Sequence, residues 1–278
     1  MMTFTATATG KYAIVDGRKL HYHDVGAGPV LLCIHGGAPG ATGWGNFGCI
    51  ADALSARYRL LIVDLPGYGK SAVPAGDGDR NTAYARMMIG LLHSLGLERV
   101  HVLGMATGGA VGMIMAIDSP AVVDHLILVS SAGSRSMFGV KPVTAASKTY
   151  LDAGGPTREK MRAYLDQLIH DKKLITDELV EDRYQASIEP TVLANTMQGR
   201  AGKGATTRDL WKSADQITCR TLIIWGRENR AHSYESAILL HSLIADSQVH
   251  LFGNCGLWVP YEKQEEFSRL VDIFLSAR

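Results

Sequence analysis

The chain has 278 residues, 46% of them hydrophobic and 20% charged, which suits one large domain with a sizeable core. A formal net charge of +1 gives no electrostatic case for a nucleic-acid partner or an anionic membrane surface. No apolar run approaches the roughly 18 residues of a membrane span, and the opening MMTFTATATG has neither the basic start nor the apolar core of a secretory signal.

Strand signals begin with KYAIVDG and KLHYHDVG, a hairpin expected to turn at Asp16 and Gly17. PVLLCIHG is a continuous apolar run, as expected of a strand buried on both faces. Further strands are read at 59–67, 99–105, 125–133, 221–228 and 247–254. Helical patterning follows at about 81–95, through about 118, and from about 262 to 277. Strands alternating with helices predict an α/β chain with a mostly parallel sheet and helices on both faces. Residues 135–207 break the rhythm, with TREKMRAYLDQLIHDKKL and TDELVEDRYQAS helical and no clear strand. This segment is read as a helical lid inserted into a core of 1–134 and 208–278. It would sit over the C-terminal strand ends, where doubly wound sheets bind ligands.

Cys33, Cys49, Cys219 and Cys255 are scattered without metal-ligand spacing, which fits reduced thiols and a cytoplasmic location. No His/Asp/Glu cluster has metal-ligand spacing, and there is no phosphate loop or dinucleotide fingerprint, so neither a metal nor a cofactor is expected.

The stretches HGGAPGATGWGNF, DLPGYGKS, LGMATGGA, LITDELVEDRYQA, LIIWGREN and NCGLWVPYEKQEEF together resemble the α/β-hydrolase fold. More narrowly they resemble the meta-cleavage-product hydrolases, carbon–carbon bond hydrolases of aromatic degradation. The resemblance covers nearly the whole chain. It implies a serine nucleophile in a sharp G-x-S-x-G turn, an acid after the WGR run and a histidine before the last helix. At those positions this chain has Ala106, Asn229 and Leu257. Three departures together speak against a single engineered knock-out. Once a nucleophile is lost, its base and acid are free to drift.

Other features of the implied site persist. The N–H groups of Gly36, Gly37 and Thr107 match the family's oxyanion donors. Asn46 matches a polar pocket position, Arg183 an arginine that holds a substrate carboxylate, and Trp258 a pocket wall. Met105 stands where asparagine is usual, so Met105, Ala106 and Leu257 make the centre apolar. The sequence reading therefore expects a non-hydrolytic enzyme: a lyase, cyclase, isomerase, decarboxylase or cofactor-free oxygenase acting on a small anionic or enolic substrate. Two alternatives stand beside it. One is a ligand-binding protein without turnover. The other is a carbon–carbon or ester hydrolase with relocated groups, for which Thr107, Cys255 and His232 are the candidates, with Glu228 on the same loop as His232 and His170 in the lid. The resemblance also implies a homodimer.

Overall fold

A computed structural model describes residues 4–73, 78–131, 149–152, 154–201 and 208–277. The expected hairpin joins β1 (Gly10–Val15) to β2 (Arg18–Val25). Asp16 and Gly17 both take positive φ, 49° and 73°, as a two-residue Asp-Gly turn requires. Then follow β3 (Val30–Ile34), α1 (Gly43–Leu54), β4 (Arg59–Val63), α2 (Arg80–Ser94), β5 (Val100–Met105), α3 (Thr107–Asp118) and β6 (Val123–Val129). Three helices come next: α4 (Arg158–Leu168), α5 (Asp177–Ile188) and α6 (Pro190–Ala201). The chain closes with β7 (Arg220–Gly226), α7 (Glu235–Leu243), β8 (Ser247–Phe252) and α8 (Gln264–Ser276).

The eight strands form one sheet in the order β1-β2-β4-β3-β5-β6-β7-β8. β1–β2 and β2–β4 pair antiparallel, and the other neighbours pair parallel. The central strands are apolar over most of their length because both faces are covered, with polar residues gathered toward their N-terminal ends. On one face Tyr84 and Leu91 of α2, Ile114 of α3 and Leu240 of α7 form a cluster. On the other, Phe47 and Ile50 of α1 pack with Phe267 and Val271 of α8. Leu165 and Leu168 of α4 and Val180 of α5 join this second cluster.

Register aligns the C-terminal strand ends. Ile34 pairs with Gly104, Met105 with Val129, and Val129 with Ile224. The loops after β3, β5, β6 and β7 therefore open at one edge of the sheet. The helices between β6 and β7 reach the same edge: Leu257 N–H donates to Leu168 O at 2.8 Å, and Asn195 Nδ2 donates to Gly67 O at 2.9 Å. Glu262 braces this contact by accepting from the N–H groups of Gly256 at 2.8 Å and His170 at 2.7 Å. The expected lid limits at 134/135 and 207/208 fall at or beside residues outside those described. No described helix is long and apolar enough to cross a membrane.

Candidate active site

The turn between β5 and α3 is built by glycines. A Cβ on Gly104 would lie 2.4 Å from Gly108 O, and one on Gly108 would lie 1.9 Å from Ile34 O. Strand and helix thus approach closer than any side chain allows. At the apex Ala106 holds φ 48°, ψ −110°, a conformation costly for a residue with a Cβ. Its N–H donates to Val129 O at 2.9 Å, and its carbonyl accepts from Ser131 Oγ at 2.8 Å. The strained turn is therefore held from β6 although its central side chain is a methyl group. Thr107 is the first residue of α3, where a helix leaves its N–H groups unpaired.

The loop after β3 lies directly against this turn. A Cβ on Gly36 would sit 3.4 Å from Ala106 Cβ, and one on Gly37 would sit 2.8 Å from Thr107 Oγ1. His35 holds the loop: its Nδ1 donates to Gly36 O at 2.7 Å and its Nε2 accepts from Leu65 N–H at 2.9 Å. Burial lowers the His35 pKa to about 4, so the ring is neutral with both nitrogens engaged. Tyr68 Oη donates to Gly37 O at 3.1 Å. Tyr68 and the brace at Glu262 escaped the sequence reading, because neither belongs to a local motif.

Met105 and Leu257 are buried and join the apolar cluster that Ala106 packs against. Leu257 is fixed by its backbone, its carbonyl accepting from Ser130 Oγ at 2.9 Å. Asn229 turns its Oδ1 into its own loop, accepting from the N–H groups of Ala231 at 2.9 Å and His232 at 3.1 Å. Its Nδ2 is buried without a partner.

Arg183 of α5 is only 4% exposed. Its Nη1 donates to Gly40 O at 3.2 Å, and its Nε is buried without a hydrogen-bond partner. Its Cζ lies 4.6 Å from the centroid of the Trp258 ring. Burial pulls its pKa down to about 10, with Tyr164 pulling weakly the other way. Among the described residues no carboxylate is paired with it. Trp258 Nε1 donates to Asn46 O at 3.4 Å, which brings Asn46 to the same wall. Asn46 spends its Nδ2 on Thr42 O at 3.0 Å and leaves Oδ1 buried and unpartnered. Arg183, Trp258 and Asn46 thus converge, as do Gly36, Gly37, Ala106 and Thr107.

The relocated-group candidates fare differently. The Cys255 thiol is fully buried, and burial pushes its pKa far above the ordinary thiol range, so it is no nucleophile. The His232 backbone is tied into the loop after β7, its carbonyl accepting from Trp225 Nε1 at 3.0 Å. The His170 N–H is engaged by Glu262. Glu228 is tied to Arg227 and to the N–H of Cys255. The Thr107 hydroxyl borders the turn, against Gly37. All four cysteines are free thiols.

Residues 29–264 match the family model described as alpha/beta hydrolase fold. A 2-hydroxy-6-oxo-6-phenylhexa-2,4-dienoate hydrolase of Comamonas testosteroni is 32% identical over the full length of both chains. A 2-hydroxy-6-oxo-2,4-heptadienoate hydrolase of Pseudomonas putida is 33% identical over 99% of each. The solved structure of a serine-to-alanine variant of a meta-cleavage product hydrolase from Pseudomonas fluorescens IP01, complexed with acetates, superposes with a TM-score of 0.88 at 32% identity, covering 97% of this chain and 98% of that one. These relatives correct the expectation of a lyase, cyclase, isomerase, decarboxylase or oxygenase. Similarity runs end to end to enzymes named as hydrolases, which favours the hydrolase alternative.

Proposed function

The chain belongs to the alpha/beta hydrolase fold family, and we propose that it hydrolyses a carbon–carbon bond in a conjugated oxo-dienoate, with water rather than a side chain as the attacking group. The observation that carries this reading is Arg183. A buried guanidinium with no carboxylate beside it and a free Nε is a receptor for an anion. The carboxylate of a 2-hydroxy-6-oxo-dienoate, the substrate type in the relatives' names, supplies that anion. The Trp258 face and the apolar wall of Met105 and Leu257 suit the flat body of such a molecule.

The reactive 6-oxo group then lies toward the turn. The N–H groups of Gly36, Gly37 and Thr107 stabilise the oxyanion formed when water adds to that carbon. The retained strain at Ala106 supports this role, since the turn keeps its donor aimed although its side chain has nothing to donate. Collapse of the adduct breaks the bond between carbons 5 and 6. Before this, carbon 5 takes up a proton as the 2-hydroxyl gives one up, turning the dienol into the 2-oxo-3-ene. The electron pair of the broken bond then passes through the double bond between carbons 3 and 4 to the 2-oxo oxygen, which regains a proton, and the hydroxyl from water leaves in a carboxylic acid. Water is the only co-reactant that the atom balance calls for. Segment 135–207 acts in this reading as the cap over a core of 1–134 and 208–278. The free thiols support a reducing, cytoplasmic setting.

The test uses 2-hydroxy-6-oxo-6-phenylhexa-2,4-dienoate in water labelled with heavy oxygen. The expected result is loss of the dienolate absorbance, with one labelled oxygen in the benzoate released. Substrate that binds and is recovered intact overturns the hydrolase reading in favour of a binding protein.

A further inference from the structure

A second constellation lies at the opposite end of β5, five residues before Ala106, which is about 16 Å along a strand. Val100 pairs with Val123 and Val102 with Leu126, so a register shift sets the single residue His101 against two, Asp124 and His125. In a regular strand Asp124 and His125 would point to opposite faces. The bulge breaks that alternation and gathers the three side chains. His125 Nδ1 is 3.1 Å from Asp124 Oδ2, and His101 Nδ1 is 3.3 Å from the same oxygen. One ligand atom from each residue falls within 4.8 Å of the others.

We propose that His101, Asp124 and His125 form a site for a borderline divalent transition-metal ion such as Zn²⁺, Co²⁺ or Ni²⁺. The two separations to Asp124 Oδ2 match the edge of a tetrahedron with bonds of about 2.0 Å, which is roughly 3.3 Å, and the two imidazole nitrogens lie within 4.8 Å of each other. Two imidazoles and one carboxylate, with water in the fourth position, are the donor set such ions select over Mg²⁺ or Ca²⁺. His101 is nine-tenths buried, and its Nδ1 makes no hydrogen bond of good geometry although Asp124 Oδ2 lies 3.3 Å away, so an ion between the two atoms would take both as ligands. The rings are fixed from outside the cluster. Tyr58 meets His101 edge-on at 6.4 Å, and Phe274 meets His125 edge-on at 5.6 Å. Asp124 and His125 are half-buried, which gives an ion a way in from solvent. Arg99 takes the other carboxylate oxygen, Oδ1, at 2.7 Å and leaves Oδ2 to the metal. Sequence spacing conceals the site, because His101 is more than twenty residues from its partners and only the strand pairing joins them. Its distance from Ala106 assigns it to clamping β5 to β6 rather than to the hydrolytic step, so it stands independently of the proposed reaction.

The full-length protein, stripped with chelator, is titrated with Zn²⁺ by calorimetry and with Co²⁺ by visible absorption. The expected result is one equivalent of Zn²⁺ bound, the intense visible bands of four-coordinate Co²⁺, and a zinc-dependent rise in Tm. Asp124→Asn and His125→Gln, both at half-exposed positions where the fold tolerates change, should each weaken Zn²⁺ binding by at least ~10-fold. His241→Ala, a histidine elsewhere on the surface, should leave it unchanged. Absence of Zn²⁺ binding, or binding that survives both cluster variants, overturns the proposal.

Discussion

The Arg183 guanidinium lies over the Trp258 ring at 4.6 Å, in a site 4% exposed, with its Nε unpaired. A lone buried charge is a stability cost that a bound anion removes. Arg183→Met should therefore raise the stability of the ligand-free protein by about 1 kcal/mol or more. The same change should raise KM for an oxo-dienoate by at least ~10-fold, or about 1.4 kcal/mol. Urea denaturation with and without benzoate, together with steady-state kinetics, checks both halves. A variant that loses stability and keeps its KM refutes the anion-receptor role.

That site also has a pH signature. Burial lowers the Arg183 pKa from 12.5 to about 10. Between those values the unfolded chain binds the extra proton, so this group's contribution to ligand-free stability rises with pH there. Anion affinity runs the other way, level from neutral pH to about 9 and falling as pH passes about 10. Benzoate titrations across this range check it, with Arg183→Met expected to show weak binding and no such fall.

Acid sensitivity is expected from two histidines in the core. Burial lowers both His23 and His35 from 6.5 to about 4. Between about 4 and 6.5 the unfolded chain binds more protons, so this stability is complete above 6.5 and is lost as pH falls toward 4. His35, fully buried with both nitrogens engaged, contributes on the order of 3 kcal/mol. Asp64 acts in the same sense at lower pH. Burial raises its pKa, but the hydrogen bond from His21 and the N–H groups of Lys70 and Gly43 outweigh that and hold the carboxyl below its usual range. Urea midpoints should fall steeply from pH 6.5 to 4, and His35→Gln should flatten the slope while lowering stability at pH 7.

What the sequence made legible follows from local rules. Apolar runs bounded by glycine located every central strand, and Asp16 with Gly17 located the hairpin turn. Helix α1 was not legible. GWGNFGCIADAL carries three glycines, each disfavoured in a helix interior. Tertiary packing overrides this: Thr42 caps Gly45 N–H at 2.9 Å, and Phe47, Ile50 and Leu54 are buried. In the candidate site, Arg183 and Trp258 were found by matching motifs, but their stacking was not, because α5 and the loop after β8 meet only in the fold. The loss of side chains at 106, 229 and 257 was plain, yet it suggested a change of reaction class that full-length relatives named as hydrolases do not support.

Close packing at the turn separates two kinds of glycine. A methyl on Gly108 would meet Ile34 O at 1.9 Å, backbone that cannot yield without moving β3. Gly108→Ala should cost about 3 kcal/mol or more, at or above the top of the usual range for overpacking a core, because the atom it meets is backbone. At Gly96 φ is 67° and a Cβ would meet nothing within 4 Å, so Gly96→Ala should cost only the left-handed backbone term of roughly 1–2 kcal/mol. Urea midpoints of the two variants give the comparison, and similar losses at both positions would refute the packing account.

Ala106 provides the sharpest test of how the site works. Its backbone strain, roughly 1–3 kcal/mol for such φ/ψ values, is relieved in Ala106→Gly and partly offset by about 0.5–1 kcal/mol of chain entropy. The glycine variant should therefore be as stable as the parent or more so, yet slower on the oxo-dienoate, because the Thr107 N–H is no longer held rigidly. Ala106→Ser places a hydroxyl at the apex, while Leu257, at the position where the family has its histidine, can accept no proton. That variant should gain no appreciable hydrolysis of simple aryl esters. Ala106→Ser combined with Asn229→Asp and Leu257→His should gain it, since a serine attacks efficiently only with a base and an orienting acid. Strong esterase activity from Ala106→Ser alone would mean that a base already borders the turn, and the water-attack reading would then give way to a nucleophile activated in place.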